Sequence, residues 1–309
     1  MPEEQQLSPE YAPVLQMIAQ APPLSSLPID EARARWDMMD FGETEEVTDV
    51  RELTIPGPTK PIPARFYRHS DDPIALIVYL HGGGWVLGGL TSHDKSIRGL
   101  VCRTNCAILA IDYRLAPEHP FPAGLDDSYA ALLWAAENAS SLVGPDKPLF
   151  VAGDSAGGNL AAAIALRAKR NGTPKLDGQV LIYPATDGSM STGSYNSRAT
   201  GSLLSADDMD WFWSNYIADP SVRSDPQASV CRAEDLTGLP PTILLTAEFD
   251  PLLDEGREYG RKMEAAGVRV KYLHFDDQPH GFMTFYQFAP SAAHAFDELA
   301  AAIVELATR

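Results

Sequence analysis

Cysteine is scarce in this 309-residue chain. Cys102, Cys106 and Cys231 cannot build a disulfide framework. No histidine lies near them at zinc-site spacing, so no metal is expected. Cys102 and Cys106 stand four apart on an expected helix, the spacing of two small side chains facing a core. Basic residues are few as well: 24 Lys and Arg against 42 Asp and Glu, a net charge of −18. Such a chain repels phosphate backbones and anionic lipid, which argues against nucleic acid or a membrane as partner and suits neutral or cationic small molecules. No apolar run approaches about 18 residues, so no transmembrane helix is expected. Met1-Pro2-Glu3-Glu4 is acidic where a secretory signal would be basic. The expected compartment is the cytoplasm. Internal repeats and low-complexity segments are absent too.

What is present is a full complement of core residues, 45% hydrophobic with 21% charged. Helix-like patterns at 9–20 and 29–39 flank the turn Ala21-Pro22-Pro23. Strands at 47–54 and 62–67 are joined through Pro56-Gly57-Pro58. Continuous apolar strands then alternate with helices. The strands are 74–80, 107–111, 148–152, 180–183, 242–246 and 268–273; the helices run near 94–104, 125–139, 159–166, 253–266 and 292–307. That alternation predicts an α/β fold with a parallel sheet covered on both faces. Residues 187–232 break it, with Ser, Gly, Asp and the cluster Trp211-Phe212-Trp213. The stretch is too long for a simple loop and is expected to be an inserted lid.

One turn carries chemistry. Gly153-Asp154-Ser155-Ala156-Gly157 follows an apolar strand and precedes a helix. A sharp strand-to-helix turn exposes a serine hydroxyl to a base, which the poor nucleophilicity of an alcohol requires. Chance supplies G-x-S-x-G roughly one time in ten at this length and average composition, so its partners must decide. His81-Gly82-Gly83-Gly84-Trp85 directly follows another strand. Consecutive glycines are entropically costly, and close backbone approach to a developing oxyanion supplies a need for them. Gly83 and Gly84 are expected donors, with Ala156 after the nucleophile as a third.

The base and acid should follow in the order serine, acid, histidine. Of seven histidines, His69, His81, His93, His119 and His274 lie where a strand, a glycine loop or a turn accounts for them, and His294 falls on the last helix. His280, in a loop beyond the last strand, is expected at the carboxyl edge of the sheet with the serine. Asp250 comes just after a strand end and is the favoured acid. Glu248 should point sideways, and Asp254 should meet the macrodipole in the first turn of a helix. Asp250 would orient His280 and stabilise its cationic form.

Together His81-Gly82-Gly83-Gly84-Trp85, Gly153-Asp154-Ser155-Ala156-Gly157-Gly158, Asp250-Pro251-Leu252 and His280-Gly281-Phe282 resemble the bacterial hormone-sensitive-lipase-like esterases of the α/β-hydrolase superfamily. Asp112-Tyr113-Arg114-Leu115-Ala116-Pro117-Glu118 with Pro120-Phe121-Pro122-Ala123 is similar to the same family, and Asp154 places the chain in its GDSAG branch. The resemblance runs from about residue 47 to the C-terminus. It implies an eight-stranded, mostly parallel sheet flanked by helices, with a helical cap built from residues 1–45 and 187–232. The catalytic core would then comprise 46–186 and 233–309. It also implies a cofactor-free serine carboxylesterase acting on short- to medium-chain esters, and it allows a homodimer. Arg114 and Glu118 are expected to form a structural ion pair. Trp85, Leu203, Trp211, Trp213 and Phe282 are candidates to line the pocket, with a core role open for each tryptophan. Other readings are an amide or carbamate hydrolase of the arylacetamide-deacetylase kind, a true lipase, and a non-catalytic ligand receptor on the same fold.

Overall fold

The computed structural model describes residues 6–38, 42–200 and 202–309. Its centre is one eight-stranded sheet: β1 (Asp49–Ile55), β2 (Ile62–Arg68), β3 (Leu76–Leu80), β4 (Ala107–Ile111), β5 (Leu149–Asp154), β6 (Gly178–Ile182), β7 (Thr242–Phe249) and β8 (Val270–Pro279). The spatial order is β1-β2-β4-β3-β5-β6-β7-β8. β2 runs antiparallel to β1 and β4, and the remaining pairs are parallel. The central strands are apolar because both sheet faces are covered. Along β3, Leu76, Val78 and Leu80 belong to one buried cluster, and Ile77 and Tyr79 to the other.

The helices are α1 (Ala12–Gln20), α2 (Ile29–Asp37), α3 (Asp94–Thr104), α4 (Ala123–Val143), α5 (Ala156–Asn171), α6 (Ser194–Ser197), α7 (Ala206–Tyr216), α8 (Leu253–Ala265) and α9 (Pro290–Ala307). Leu125 of α4, Leu160 of α5 and Tyr259 of α8 sit in the first cluster; Leu100 of α3 and Phe296 of α9 sit in the second. The chain leaves β3 to pair β4 on one side and later β5 on the other. That reversal opens a crevice at the carboxyl ends of β3 and β5, where α/β sheets place their ligands.

Several expectations need correction. The last strand runs to Pro279 rather than ending at Leu273, because β7 continues to pair with it through Ala247–Phe275 and, after a bulge, Phe249–Pro279. The expected loop before His280 is therefore strand. Asn105, in the left-handed conformation, ends α3, so Cys106 lies beyond the helix and is buried while Cys102 is half-buried. α4 is longer than expected at both ends, and α2 stops at Asp37; Met39 lies outside the described residues. Arg114 does not pair with Glu118. It forks onto buried Asp127 at 2.7 and 2.8 Å, while Glu118 pairs with Arg33 of α2. A carboxylate as buried as Asp127 requires a fixed cation, and losing either partner of such a pair costs about 3–5 kcal/mol.

Among the described residues no helix is long and apolar enough to cross a membrane. Among the same residues no group of three or more His, Cys, Asp or Glu side chains could hold a metal ion.

Candidate active site

Ser155 stands at the turn between β5 and α5 with φ 55° and ψ −117°. Positive φ is unfavourable for a residue with a Cβ, and it persists only where the surroundings enforce it. Here the Ser155 N–H donates to the Ile182 carbonyl at 2.9 Å. Gly157 lets the first turn of α5 press against β3, since a Cβ there would collide with the Leu80 carbonyl. The hydroxyl thus projects from the turn toward the end of β8.

There the structure brings three side chains together. Ser155 Oγ lies 2.9 Å from His280 Nε2, and His280 Nδ1 lies 2.7 Å from Asp250 Oδ2. The other Asp250 oxygen accepts the Leu252 N–H at 2.8 Å, and Asp250 is only 1% exposed. The His280 N–H donates to the Phe249 carbonyl at 3.3 Å, tying the histidine's loop to the acid's strand. Proton transfer from serine to histidine, with the acid holding the ring, is what this arrangement can perform.

The alternative acids are engaged elsewhere. Glu248 faces sideways to Arg198 at 2.5 Å, Arg257 at 3.4 Å and His274 at 3.2 Å. Asp254 lies in the first turn of α8 and accepts the Ser194 N–H at 2.8 Å.

The glycine loop after β3 curls beside Ser155, with Gly83 at φ 110° and Gly84 at φ 60°. Among the described residues no hydrogen bond takes the N–H of Gly83 or Gly84. Ala156 opens α5, so its N–H is one of the first-turn donors that a helix leaves without an internal acceptor. At Gly84 a Cβ would also strike the Phe212 ring of α7.

A polar scaffold beneath the loop went unread in the sequence. Asp154 Oδ1 accepts Tyr79 Oη–H at 2.8 Å and the Gly82 N–H at 3.0 Å, and lies 3.5 Å from His93 Nε2. Burial alone would raise the Asp154 carboxyl, but adjacent His93 and the bonds from His93 and Tyr79 hold it below the usual carboxylate value. His93 is therefore more than a turn residue, because it braces the loop and borders the cleft. His81 stacks on Tyr113 at 4.4 Å, and burial, with His93 nearby, pushes it down to about 3. His81 is neutral at physiological pH. The second residue of the G-x-S-x-G turn and the first of the glycine run were the available signals, but only the fold reveals that they touch.

The cleft above Ser155 is walled on one side by Val14, Ile18, Leu24 and Trp36 of the N-terminal segment. Leu203, Leu204, Met209 and Phe212 of the insertion form the other wall, with Asp208 between them. Leu203 falls where expected; the other four pocket candidates do not line the cleft. Trp85 stacks on Tyr216 at 4.4 Å and packs on Trp213 at 4.5 Å, all three buried. Phe282 packs on Tyr183 and Phe275, and Trp211 lies against Phe212. Trp85, Trp213 and Phe282 are buried core rings, which stabilise by burial, and Trp211 is half-buried against the core.

A family model for the alpha/beta hydrolase fold matches residues 77–284. The chain is 44% identical to the carboxylic ester hydrolase LipN of Mycobacterium tuberculosis, over 82% of this chain and 70% of that protein. It is 39% identical to the carboxylesterase NlhH of the same species, over 93% of each chain. The ethyl acetate hydrolase of Pseudomonas putida is 36% identical, over 90% of this chain and 92% of its own. Among solved structures, an ester hydrolase from the metagenome of Lake Arreo superimposes with a TM-score of 0.92 at 37% identity, covering 97% of this chain and 99% of its own. A thermostable esterase from Pseudomonas putida does so with a TM-score of 0.92 at 34% identity, covering 98% of each.

Proposed function

The chain belongs to the hormone-sensitive-lipase-like esterases of the α/β-hydrolase superfamily, and from that premise we propose that Ser155, His280 and Asp250 carry its hydrolysis of carboxylic esters. The observation that carries the assignment is the unbroken chain Ser155 Oγ–His280 Nε2–His280 Nδ1–Asp250 Oδ2, with steps of 2.9 and 2.7 Å.

Ser155 Oγ attacks the ester carbonyl as His280 Nε2 takes its proton. The carbonyl oxygen becomes an anion, held by the N–H groups of Gly83, Gly84 and Ala156, each such donor being worth about 3 kcal/mol in the transition state. His280 returns the proton to the departing alkoxide, leaving an acyl ester on Ser155. Water then repeats the sequence, giving its proton to His280 as it attacks the acyl carbonyl. The second collapse breaks the Ser155 ester bond as His280 returns the proton to Ser155 Oγ, and the carboxylic acid leaves. Asp250 keeps the His280 ring oriented and offsets its transient positive charge.

Short- to medium-chain acyl groups suit an apolar cleft bounded on both sides by aliphatic and aromatic walls. The catalytic core comprises residues 46–186 and 233–309, with residues 1–45 and 187–232 serving as its cap. The substrate is a small molecule, and no nucleic acid or membrane takes part. The reading allows a homodimer. The free state of Cys102, Cys106 and Cys231 supports a reducing compartment such as the cytoplasm.

Turnover of p-nitrophenyl butyrate and of the matched p-nitroanilide, in parent and Ser155→Ala protein, tests the reading. The expected result is ester turnover well above amide turnover, and loss of ester turnover by roughly 10⁴-fold or more in the variant. Persistence of turnover in Ser155→Ala would remove the nucleophile assignment. A preference for the anilide would move the protein to amide hydrolysis.

A further inference from the structure

Arg33 lies midway along α2, and its guanidinium is spent on the core rather than on solvent. Nε donates to the Val86 carbonyl at 2.9 Å and Nη2 to the Ala116 carbonyl at 2.9 Å. Nη1 and Nη2 reach the two Glu118 oxygens at 2.8 and 2.7 Å. A planar fork can serve a carboxylate and neighbouring carbonyls at once, which a lysine ammonium cannot reproduce.

The acceptors are well placed. The Val86 N–H donates to the Gly83 carbonyl at 3.1 Å, so Val86 belongs to the turn that presents the oxyanion donors. The Ala116 N–H donates to the Trp85 carbonyl at 2.9 Å, joining the second loop to the first. One side chain therefore fastens a cap helix to both loops. Among the described residues, Arg33 makes all the side-chain hydrogen bonds from α2 to the core; Arg35 bonds Pro22 within the N-terminal segment. α2 adds apolar contact through fully buried Ala32. One turn beyond Arg33, on the same helix, Trp36 walls the cleft, with Leu24 just upstream.

We propose that Arg33 is a positioning residue that latches α2, and with it the Trp36 wall, over the cleft and thereby sets how long an ester the enzyme accepts. The proposal rests on ester hydrolysis at Ser155. An acetyl ester of a small alcohol ends close to Ser155 and the glycine loop, whereas a six-carbon arm on either side of the ester must lie against the cap walls. Releasing the latch removes the Trp36 wall from long substrates and leaves the chemistry at Ser155 in place.

The test compares kcat/KM for p-nitrophenyl hexanoate against p-nitrophenyl acetate, and for hexyl acetate against ethyl acetate. Parent, Arg33→Ala, Arg33→Lys, Glu118→Ala, Trp36→Ala and the Arg33→Ala/Trp36→Ala double variant are measured. Arg33→Ala is expected to lower at least one long-to-short ratio about tenfold, through KM. Its turnover of ethyl acetate should stay within about threefold of the parent. Arg33→Lys should not restore the ratio. Glu118→Ala should give an intermediate fall, since the two carbonyl bonds survive. The double variant should be no worse than Trp36→Ala alone, because both act through one wall.

Equal losses on long and short esters would reduce Arg33 to a stability role and overturn the proposal. So would multiplicative effects in the double variant, or a Glu118→Ala ratio equal to the parent's. If Arg33→Ala does not fold, the Glu118→Ala ratio decides alone. Failure of the parent reading shows separately, as ester turnover that survives Ser155→Ala.

Discussion

The two sides of the cleft are held in different ways. On the core side, Ser155, His280, Asp250 and the glycine loop hang from the carboxyl ends of β3, β5, β7 and β8, and their positions are set by backbone hydrogen bonds and short buried contacts. On the opposite side, Val14, Ile18, Leu24 and Trp36 line the cleft together with Leu203, Leu204, Met209 and Phe212. These segments reach the core through apolar packing and polar fasteners, among them Arg33, Tyr11 and Glu10 at the N-terminal seam, and Arg198–Glu248, Asp254 and Glu255 at the other. Chemistry demands geometry fixed to a fraction of an ångström, which rigid strand ends supply. An apolar wall needs only the right size and surface, and many residues can provide that.

The contrast predicts how the two sides respond to substitution. The largest effect belongs to the core: Asp250→Asn should lower kcat by roughly 10³–10⁴-fold with little change in KM, because the His280 ring loses the partner that orients it. Asp254→Asn, only four residues away but bonded to the cap through Ser194, should cost no more than about tenfold. Steady-state kinetics on one short ester compares them. A greater loss for Asp254→Asn would reverse the assignment of the acid and erase the distinction between core and seam.

A smaller effect, on stability, is expected at Glu255. It is 1% exposed, and its Oε1 accepts the N–H groups of Thr186 and Asp187 at 2.5 and 3.2 Å, where the inserted segment leaves the core. Burial raises its carboxyl from 4.5 to about 8, despite those hydrogen bonds. The folded chain then holds a proton that the unfolded chain releases, so this group's contribution is complete below 4.5 and is lost as pH rises toward 8. Glu255→Gln mimics the protonated acid, so the decline in urea midpoint between about pH 5 and about pH 8 should shrink, by an amount worth about 1 kcal/mol or more. An unchanged decline would show that the seam does not titrate. Activity should move less than with Asp250→Asn.

The same contrast explains what could be read from the sequence. The parallel core was legible because strands buried on both faces must be apolar, as Leu76–Leu80 and Leu149–Asp154 are. The proposed nucleophile and oxyanion loop were legible because an exposed serine and a close backbone approach demand glycine at set spacings, visible at 153, 157, 83 and 84. That Asp250 and His280 would meet Ser155 was legible from their place after strand ends, although the strand before His280 is six residues longer than its apolar part. Charged Asp276 and Asp277 hid that extension, since β8 is an edge strand and can carry them.

The apolar walls of the cleft were not legible in the same way. Trp85 and Trp213 read equally as wall or core, and the fold put both in the core behind Phe212. Arg33 gave no local sign of its role, because its acceptors lie 53, 83 and 85 residues away in sequence. Spacing also misled at Arg114 and Glu118: four residues apart suggests a pair only on a helix, and this segment is not one.

The central claim is that ester chemistry passes through a covalent bond to Ser155. Incubation with diethyl p-nitrophenyl phosphate, followed by intact-mass and peptide mass spectrometry, tests it most directly. The account predicts one diethylphosphoryl group per chain, located on Ser155, with ester turnover lost in proportion to labelling and no label in Ser155→Ala. Stoichiometric inactivation with the label on another residue, or full turnover in protein labelled at Ser155, would contradict it.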